Sequence, residues 1–446
     1  MTNKSLRRGF DILLAGKATE EIVELSYPKQ VAVFPIDYIG KTKLLVAEGD
    51  SVIAGEPVCS FKTHENIVLT APSSGKVSKI VRGDRRRLDA IIIDTDGKNE
   101  GKKFNVAVST KDAILNVLLE SGLFASITQR PFGTVAHPEE LPRDIFISGI
   151  ESAPLAPSLR LILQGKEKEF QKGIEILAKL TDGSVHLSIH KDDNKVPDVL
   201  KNVQQAEIHR FKGPHPVGNV GVQIHHIAPI KGRHDIVWTA NVQSVIRIGG
   251  LFLHGKLQTE TVIACAGTGF RENKRKYYKT YQGAIISEII TPEENVRYIS
   301  GNVLTGNKIN DYMFIGNFDN LITAIPEPTK NEIMGWALPG FGKLSKSYTF
   351  IGSLIQKFKK LSETADYHGG HRAFVATGIY KDVLPMDIYP LHLIKSIMIQ
   401  DFEDMEGLGI YEVIEEDLAL CEYVDPSKNE FQEILRSGLD LIEKEG

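Results

Sequence analysis

The sequence predicts an α/β protein of several domains. Strand patterns separated by turn signals fill residues 28–96, helix and strand patterns alternate across residues 111–255, and helical periodicity dominates beyond Pro328. A chain of 446 residues also exceeds what one hydrophobic core usually organises. We therefore divide it into an N-terminal segment and four domains, at 1–27, 28–100, 101–256, 257–328 and 329–446.

The first domain, 28–100, is predicted to be a barrel-sandwich domain of the biotinyl/lipoyl type. Two phrases are typical of its halves, VAEGDSV at 46–52 and APSSGKV at 71–77. In carriers of this type a lysine at the tip of the central hairpin takes the cofactor, whereas here the tip falls near His64, with Lys62 two residues earlier. We expect a structural module without a covalent cofactor, and a modified Lys62 or His64 is the alternative. The basic run 82–87 is predicted to be an exposed hairpin, or a contact for an acidic partner.

The second domain, 101–256, alternates helix and strand, which favours a largely parallel, Rossmann-like sheet. We expect helices at 111–120 and 166–180, and strands at 144–148, 184–189 and 206–211. To hold a nucleotide or flavin phosphate, such a fold needs a glycine-rich turn between strand and helix, and the sequence contains no such loop here. Further on, Gly267-Thr268-Gly269 has Glu272 where GxGxxG requires glycine, so we do not expect it to bind a dinucleotide.

The third domain, 257–328, returns to strands in an order typical of a β-grasp (SLBB-like) module. We expect strands at 260–265, 297–300 and 312–315, and a helix at 284–290. The fourth domain, 329–446, is predicted to be mainly helical. There, Ser427 and Glu430 form a capping-box signature for a last helix. That helix would have one apolar face, made by Phe431, Ile434, Leu435, Leu439 and Ile442.

Composition and charge exclude several classes of protein. Hydrophobic content of 42%, charged content of 25% and a mean hydropathy of -0.13 are ordinary for a folded, water-soluble chain. A net charge of -4 gives no reason to expect nucleic acid as a partner. The most apolar stretch, 236–253, is interrupted by polar residues, so membrane contact is expected only through partners. Cys59, Cys265 and Cys421 are too far apart in sequence for a CxxC pair, and a reducing compartment fits best.

The sequence shows no self-contained active site, since no GxSxG, HExxH, P-loop or kinase signature occurs. Histidines gather between 209 and 234, close to Asp235: His209, His215, His225, His226 and His234. Their spacing matches no known metal site, and on a strand His225 and His226 would point to opposite faces. We therefore expect no metal there. The compact loop GPHPVG at 213–218 suits the rim of a sheet, as a ligand site, a subunit contact or a structural turn.

The order of modules is similar to that of the C subunit of the Rnf electron-transport complex and the flavin-bearing subunit of respiratory complex I, most closely over 259–269 and 297–306. Two departures matter. Residues 121–132 lack the glycine-rich loop that cradles FMN in the flavin-bearing relatives, and only Cys421 remains where the Rnf relative carries iron–sulfur motifs. With these losses, the chain resembles the NqrA family, which supplies the A subunits of the sodium-translocating NADH:quinone oxidoreductases. Phrases across the chain carry that resemblance, at 8–16, 128–132, 211–218, 301–306, 335–340 and 415–421.

That resemblance implies a peripheral subunit on the cytoplasmic face of the bacterial inner membrane, in a complex that moves electrons from NADH to ubiquinone and exports sodium ions. It implies that NADH, flavins and iron–sulfur clusters bind to other subunits, and that the main partner is the membrane protein NqrB, which carries covalent flavin. We assign no catalytic residue and no metal ligand. A quinone site needs an apolar slot and a few polar groups, which Arg130, Phe132, Phe211 and His215 could supply. The alternative function is a structural adaptor derived from a flavoprotein.

Overall fold

A computed structural model describes residues 2–287, 289–309, 313–328, 370–375 and 377–445, with positions 339, 341, 351, 352, 364 and 365. They form a barrel-sandwich domain, an α/β domain, a second β-rich domain and a helical C-terminal region, which confirms the predicted fold class. Tyr312 of the predicted strand at 312–315 lies outside the described residues. So do most of the 335–340 phrase and most of 329–369.

The N-terminal segment joins two domains that follow it in sequence. Its strand β1 (Asn3–Ser5) pairs in parallel with Arg210 to Lys212 at the edge of the α/β sheet. Its strand β2 (Ile22–Glu24) pairs in parallel with residues 277–279 of the second β-rich domain. Backbone pairing therefore ties the first 24 residues to both domains.

The barrel-sandwich domain consists of two small antiparallel sheets packed face to face. The four-stranded sheet has the order β3-β9-β8-β5 and the three-stranded sheet has the order β4-β6-β7. The strands are β3 Gln30–Val33, β4 Thr42–Leu44, β5 Ser51–Val52, β6 Pro57–Phe61, β7 Val68–Thr70, β8 Gly75–Arg82 and β9 Leu88–Thr95. Side chains such as Val58 and Ile91 fill the space between the sheets. Arg85, Arg86 and Arg87 are exposed on the β8–β9 hairpin, which confirms the predicted exposed turn.

The α/β domain contains a seven-stranded sheet in the order β1-β14-β13-β12-β15-β10-β11. The first five strands in this order are parallel. The sixth, β10, pairs antiparallel with β15, and β11 pairs antiparallel with β10, so β10 runs opposite to the other six. The strands of this domain are β10 Thr128–Arg130, β11 Thr134–Val135, β12 Asp144–Gly149, β13 Val185–His190, β14 Glu207–Lys212 and β15 Val237–Thr239. The helices are α1 Lys111–Ser121, α2 Leu159–Ile162, α3 Glu167–Ala178, α4 Asp198–Lys201, α5 Val220–Ile227 and α6 Val242–His254. The predicted helices and strands of this domain are confirmed.

Helices α3 and α6 cover one face of this sheet and cross each other at very short distance. A Cβ at Gly173 would collide with the Val245 carbonyl, and one at Gly249 would collide with the Glu169 carbonyl. The two glycines therefore allow backbone-to-backbone contact over the core. The opposite face packs against α5 and the helical C-terminal region, so the parallel strands are buried on both sides.

The second β-rich domain has a mixed six-stranded sheet in the order β19-β18-β20-β16-β17-β2. Its own strands are β16 Glu260–Ala266, β17 Tyr277–Tyr281, β18 Val296–Ser300, β19 Asn307–Lys308 and β20 Leu321–Pro326. Gly267 and Gly269 lie against the Ala324 backbone, where a Cβ would clash. These glycines therefore serve close strand packing in this domain.

Two predictions in this domain are wrong. The described part of 284–290 forms turns and single bridges, not a helix, and Ala284 and Ile286 are buried against the sheet. A short run that is apolar throughout has no clear periodicity, so the sequence pattern could not distinguish a buried loop from a helix. In the expected strand at 312–315, the described residues make only one bridge, between Phe314 and Ile285.

The C-terminal region is helical where it is described, as predicted. Its helices are α7 Ile379–Val383, α8 Pro390–Ile399, α9 Phe402–Gly407, α10 Glu415–Val424 and α11 Phe431–Glu445. The apolar face of α11 is confirmed, but the capping box is wrong, because the Asp425 carboxylate accepts the amides of Ser427 and Asn429 and keeps them in a turn before the helix. In the described part of the chain, no helix combines the length and the apolar character needed to cross a membrane.

A buried ion pair fastens the helical region to the α/β sheet. Arg130, at the end of β10, is 1% exposed, and its Nη1 donates to Asp417 Oδ2 at 2.7 Å. Its Nη2 donates to Glu416 Oε1 at 3.0 Å. Asp417 lies in the first turn of α10 and its side chain is fully buried. Charge, and not only apolar packing, therefore fixes where α10 lies on the sheet.

We expect Arg130→Met to reduce the free energy of unfolding by about 3–5 kcal/mol, because it leaves the Asp417 charge buried without its partner. Chemical denaturation of the full chain measures this. The control is Lys43→Met, which breaks an exposed pair with Glu65 and should cost no more than about 1 kcal/mol. Equal losses in the two variants would show that the buried pair does not hold the domains together.

Candidate functional site

A cavity of about 360 Å³ lies at the carboxyl ends of the parallel strands. Residues that follow β12 and β15 form its floor, and the starts of α5 and α6 form its wall. The second β-rich domain closes one side through Leu304 and Phe318, and the helical region closes another through Ile414 and Glu416. Open α/β sheets bind their ligands in this position, outside the carboxyl ends of the strands. The cavity is therefore the candidate functional site.

Two helices begin at the wall of the cavity. Asn219 precedes α5 and Asn241 precedes α6, and both asparagines line the space together with Val220 and Val242. Asn241 accepts the Ser244 amide through its side chain at 2.8 Å, while the other first-turn amides have no partner within the helix. Such amides can donate hydrogen bonds to a ligand oxygen.

Two carboxyl groups line the cavity, and burial raises the pKa of each. Glu151 stands two residues beyond the end of β12. Its side chain is accessible to solvent within the cavity, but the protein around it desolvates the carboxyl group and raises its pKa to about 7. Burial likewise raises the pKa of Glu416 to about 7, and the neighbouring Asp417 carboxylate adds to this against the opposing Arg130 charge. Both groups can therefore take up or release a proton near neutral pH.

His215 lines the cavity as a neutral imidazole, because burial lowers its pKa to about 4. Its Nδ1 lies 3.0 Å from Ser152 Oγ, and the Gly218 amide donates to the same hydroxyl at 2.9 Å. This hydroxyl already accepts a hydrogen bond from the Gly218 amide, so it can donate its own hydrogen bond to His215 Nδ1. The proton of the neutral imidazole then lies on Nε2. The pair gives the cavity a polar group that carries no charge.

The side chains of this cavity do not suit a phosphate group. Among the described residues that line it, none is lysine or arginine, whereas two are glutamates. The chain after β12 reads Ile150-Glu151-Ser152-Ala153, without the glycines that let backbone amides surround a phosphate. The anionic phosphates of FMN or NADH would meet carboxyl groups here. A neutral ligand with hydrogen-bonding oxygens fits this lining better.

The structure separates the four residues predicted to bind quinone. His215 lines the cavity, whereas Arg130 is buried beneath it and reaches it only through Glu416. Phe211 is fully buried and packs with Ile150 and Val217 below the His215 loop. Phe132 packs edge-on against Tyr411 of the helical region, with ring centroids 6.0 Å apart.

Sequence reasoning missed Glu151, Ser152 and Glu416. A usable signal existed for the first two, because they directly follow a strand that was predicted to be parallel, at the end where ligands bind. No such signal existed for Glu416, which reaches the cavity only through the packing of α10.

The predicted histidine cluster is dispersed. His225 and His226 lie on helix α5, not on a strand. Val220, Ile224 and Ile227 are spaced by four and then three residues and pack into one core, which is the helical pattern. His225 contacts Glu412 at 2.7 Å, and His226 contacts Lys4 at 3.2 Å. Two members have other neighbours: Asp235 binds Arg143, and His209 lies beside His186.

The tip of the lipoyl-type hairpin rests on the α/β domain. His64 Nε2 lies 3.1 Å from His137 Nδ1, with the two rings packed edge to face. Lys62 is exposed beside it. A docked tip is consistent with a structural use of the module.

Three family models match the chain. They are the NqrA N-terminal barrel-sandwich hybrid domain over residues 5–96, the NqrA second alpha/beta domain over 109–257 and the NQRA C-terminal domain over 262–311.

Curated relatives match over nearly the full length of the chain. The A subunit of the Na(+)-translocating NADH-quinone reductase of Rhodopirellula baltica is 35% identical, covering 99% of this chain and 98% of that protein. The protein of the same name from Histophilus somni is also 35% identical, covering 99% and 100%. Among solved structures, an NAD+-reducing NiFe hydrogenase in the air-oxidized state matches with a TM-score of 0.38 and 10% identity, covering 75% of this chain and 61% of that chain.

The raised pKa of Glu151 predicts a pH-dependent effect of Glu151→Gln. Between about pH 4.5 and 7 the folded protein holds a proton that the unfolded chain has lost, so this group makes folding less favourable as pH rises through that window. The variant should match the thermal midpoint of the wild type near pH 5 and exceed it near pH 8. A difference that is the same at both pH values would contradict the raised pKa.

Proposed function

The chain belongs to the NqrA family, and from that premise we propose that it is the A subunit of a Na(+)-translocating NADH-quinone reductase, a complex that couples electron transfer from NADH to quinone with sodium transport. Full-length similarity to proteins of that name supports the assignment. We further propose a peripheral position on the cytoplasmic face of the inner membrane, against the membrane protein NqrB. The redox cofactors would then bind to other subunits, as the absence of cationic side chains among the described lining residues of the cavity suggests.

Within this complex, we propose that the cavity binds the ring of ubiquinone. Apolar side chains offer contacts for the ring: Ile150, Val242, Leu304, Phe318 and Ile414. The Ser152–His215 pair and the first-turn amides of α5 and α6 offer hydrogen bonds to the two carbonyl oxygens. A volume of about 360 Å³ falls within the range of small-molecule sites. The observation that carries this proposal is a polar cavity at the ligand-binding end of the sheet, with no lysine or arginine among the lining residues that the structure describes.

The two carboxyl groups suit the proton chemistry of a quinone. Reduction of a quinone to a quinol takes up two electrons and two protons, and the electrons would come from cofactors in other subunits. Glu151 and Glu416, with pKa values raised to about 7, can hold protons next to the ring. In this account they serve as proton-exchanging groups, and His215 serves as a binding group.

The other predicted residues would act indirectly. Arg130 holds the Glu416 carboxylate at 3.0 Å, Phe211 supports the loop that carries His215, and Phe132 packs under the helical region. They are positioning residues in this proposal. The domain boundaries at 28–100, 101–256, 257–328 and 329–446 also remain part of this proposal. The family matches over 5–96, 109–257 and 262–311 support the boundaries near residues 100 and 256, although the first match begins already at residue 5.

The second candidate is a structural adaptor descended from a flavoprotein. The docked His64 hairpin and the buried Arg130–Asp417 pair favour it, because both make contacts that hold domains together. The two functions differ in whether the cavity must be open for a ligand.

Quinone binding to the isolated, tag-free chain distinguishes the two candidates. Titration calorimetry with a short-chain ubiquinone should give saturable one-to-one binding. Ala153→Trp fills the cavity and should weaken that binding at least tenfold, which is about 1.4 kcal/mol. His215→Gln should weaken it as well, because it replaces the imidazole of the polar pair.

The matched control is Ala107→Trp, the same change at an exposed position outside the cavity lining, which should bind like the wild type. Circular dichroism checks that each variant is folded. If the folded wild type shows no saturable binding, or if Ala153→Trp binds as tightly as the control, the adaptor is the better account.

A further inference from the structure

A second cluster of chemically active side chains lies on the α/β sheet, away from the cavity lining. Strands β13 and β14 are parallel, with His186 opposite Glu207 and Ser188 opposite His209. Residues two apart on a strand share a face, so this register brings His186, Glu207 and His209 together. One ligand atom from each of the three lies within 4.8 Å of the others.

We propose that His186, Glu207 and His209 bind one divalent transition metal ion, of which Zn²⁺ has the best-matched ligand chemistry. Two imidazoles and a carboxylate are common zinc ligands, with metal–ligand distances of about 2.0–2.2 Å. His186 Nδ1 lies 2.9 Å from His209 Nε2 and 3.8 Å from Glu207 Oε2. Ligand atoms at such separations can reach one ion with small rotamer changes.

Groups behind the three ligands hold them in place. Asp144 Oδ1 lies 3.5 Å from His186 Nε2, the nitrogen that the metal would leave free. A carboxylate in this position fixes the tautomer and orientation of a metal-binding histidine. Ser184 Oγ donates to Glu207 Oε1 at 2.7 Å, which leaves Oε2 for the ion. Two of the three ligands therefore have the supporting contacts that metal sites need.

Without metal, the same side chains form a hydrogen-bonded chain. The Thr2 amide donates a hydrogen bond to His209 Nδ1 at 2.9 Å, so the imidazole proton of His209 lies on Nε2. From there it forms a hydrogen bond to His186 Nδ1. Metal binding at Nε2 moves that proton to Nδ1 and ends both hydrogen bonds. The exchange affects the edge of the sheet, where Thr2 precedes the short strand β1.

The burial of the cluster indicates how the ion would enter. His186 and His209 are buried, whereas the Glu207 side chain is half exposed at 50%. The ion would approach from the side of Glu207, and a water molecule would complete a tetrahedral set. An ion bound there would join β13 to β14. This inference does not depend on quinone binding, since none of the three residues lines the cavity.

Metal titration of the tag-free chain after treatment with EDTA tests this inference. Calorimetry with Zn²⁺ should show one site per chain, and Co²⁺ should give the visible absorption of a tetrahedral complex. We expect both His209→Asn and Glu207→Gln to weaken Zn²⁺ binding by at least 100-fold. The Glu207 side chain is half exposed, so Glu207→Gln should leave the fold intact. It therefore remains a usable test even if the substitution of the buried His209 disturbs folding.

His254→Gln is the control, because it removes an exposed histidine that lies near a carboxylate, Glu169, at 3.9 Å. It should bind Zn²⁺ as the wild type does. Absence of one-to-one binding in the wild type, or full binding retained in Glu207→Gln and in folded His209→Asn, would overturn the inference and leave the cluster as a hydrogen-bonded chain.

Discussion

The guanidinium of Arg130 can remain buried because the Asp417 carboxylate of helix α10 neutralises it and Glu416 of the same helix accepts a second hydrogen bond. Asp417 Oδ2 accepts a hydrogen bond from Arg130 Nη1 at 2.7 Å, and Glu416 Oε1 accepts one from Nη2 at 3.0 Å. The first turn of α10 must therefore lie over the end of β10. Gly221 at the start of α5 leaves room for the pair, since a Cβ there would collide with both charged groups. Loss of one partner would leave an isolated charge in the interior. The helical region therefore has one position on the sheet.

That position determines the chemistry of the cavity. Because α10 is held over the carboxyl ends of the strands, Glu416 faces the same space as Glu151 and the Ser152–His215 pair. The arrangement gives a ligand two groups that titrate near pH 7 and a neutral imidazole. The cavity lies where nucleotide-binding folds hold their ligands, at the carboxyl ends of the strands. Its lining, however, suits a neutral ligand with oxygen acceptors and not a phosphate.

Much of this fold could be predicted from the sequence, because buried parallel strands and amphipathic helices have distinct periodicities. Strand β12 and helix α3 are examples. The helix predicted at 284–290 was wrong, because the sequence of a buried apolar loop has no periodicity that would distinguish it from a helix. In the candidate site, Glu151 could have been predicted, because it follows a predicted parallel strand and ligands bind at the carboxyl ends of such strands. Glu416 could not, since its place depends on a contact with Arg130, 286 positions earlier.

The most direct test of the quinone site is a crystal structure of the full chain with a short-chain quinone that carries bromine on its ring. Anomalous scattering from bromine locates the ring without reference to the protein side chains. The account predicts one strong peak inside the cavity, between the residues that follow β12 and the start of α10. A peak found only on the outer surface, in crystals whose cavity is open to solvent, would contradict it.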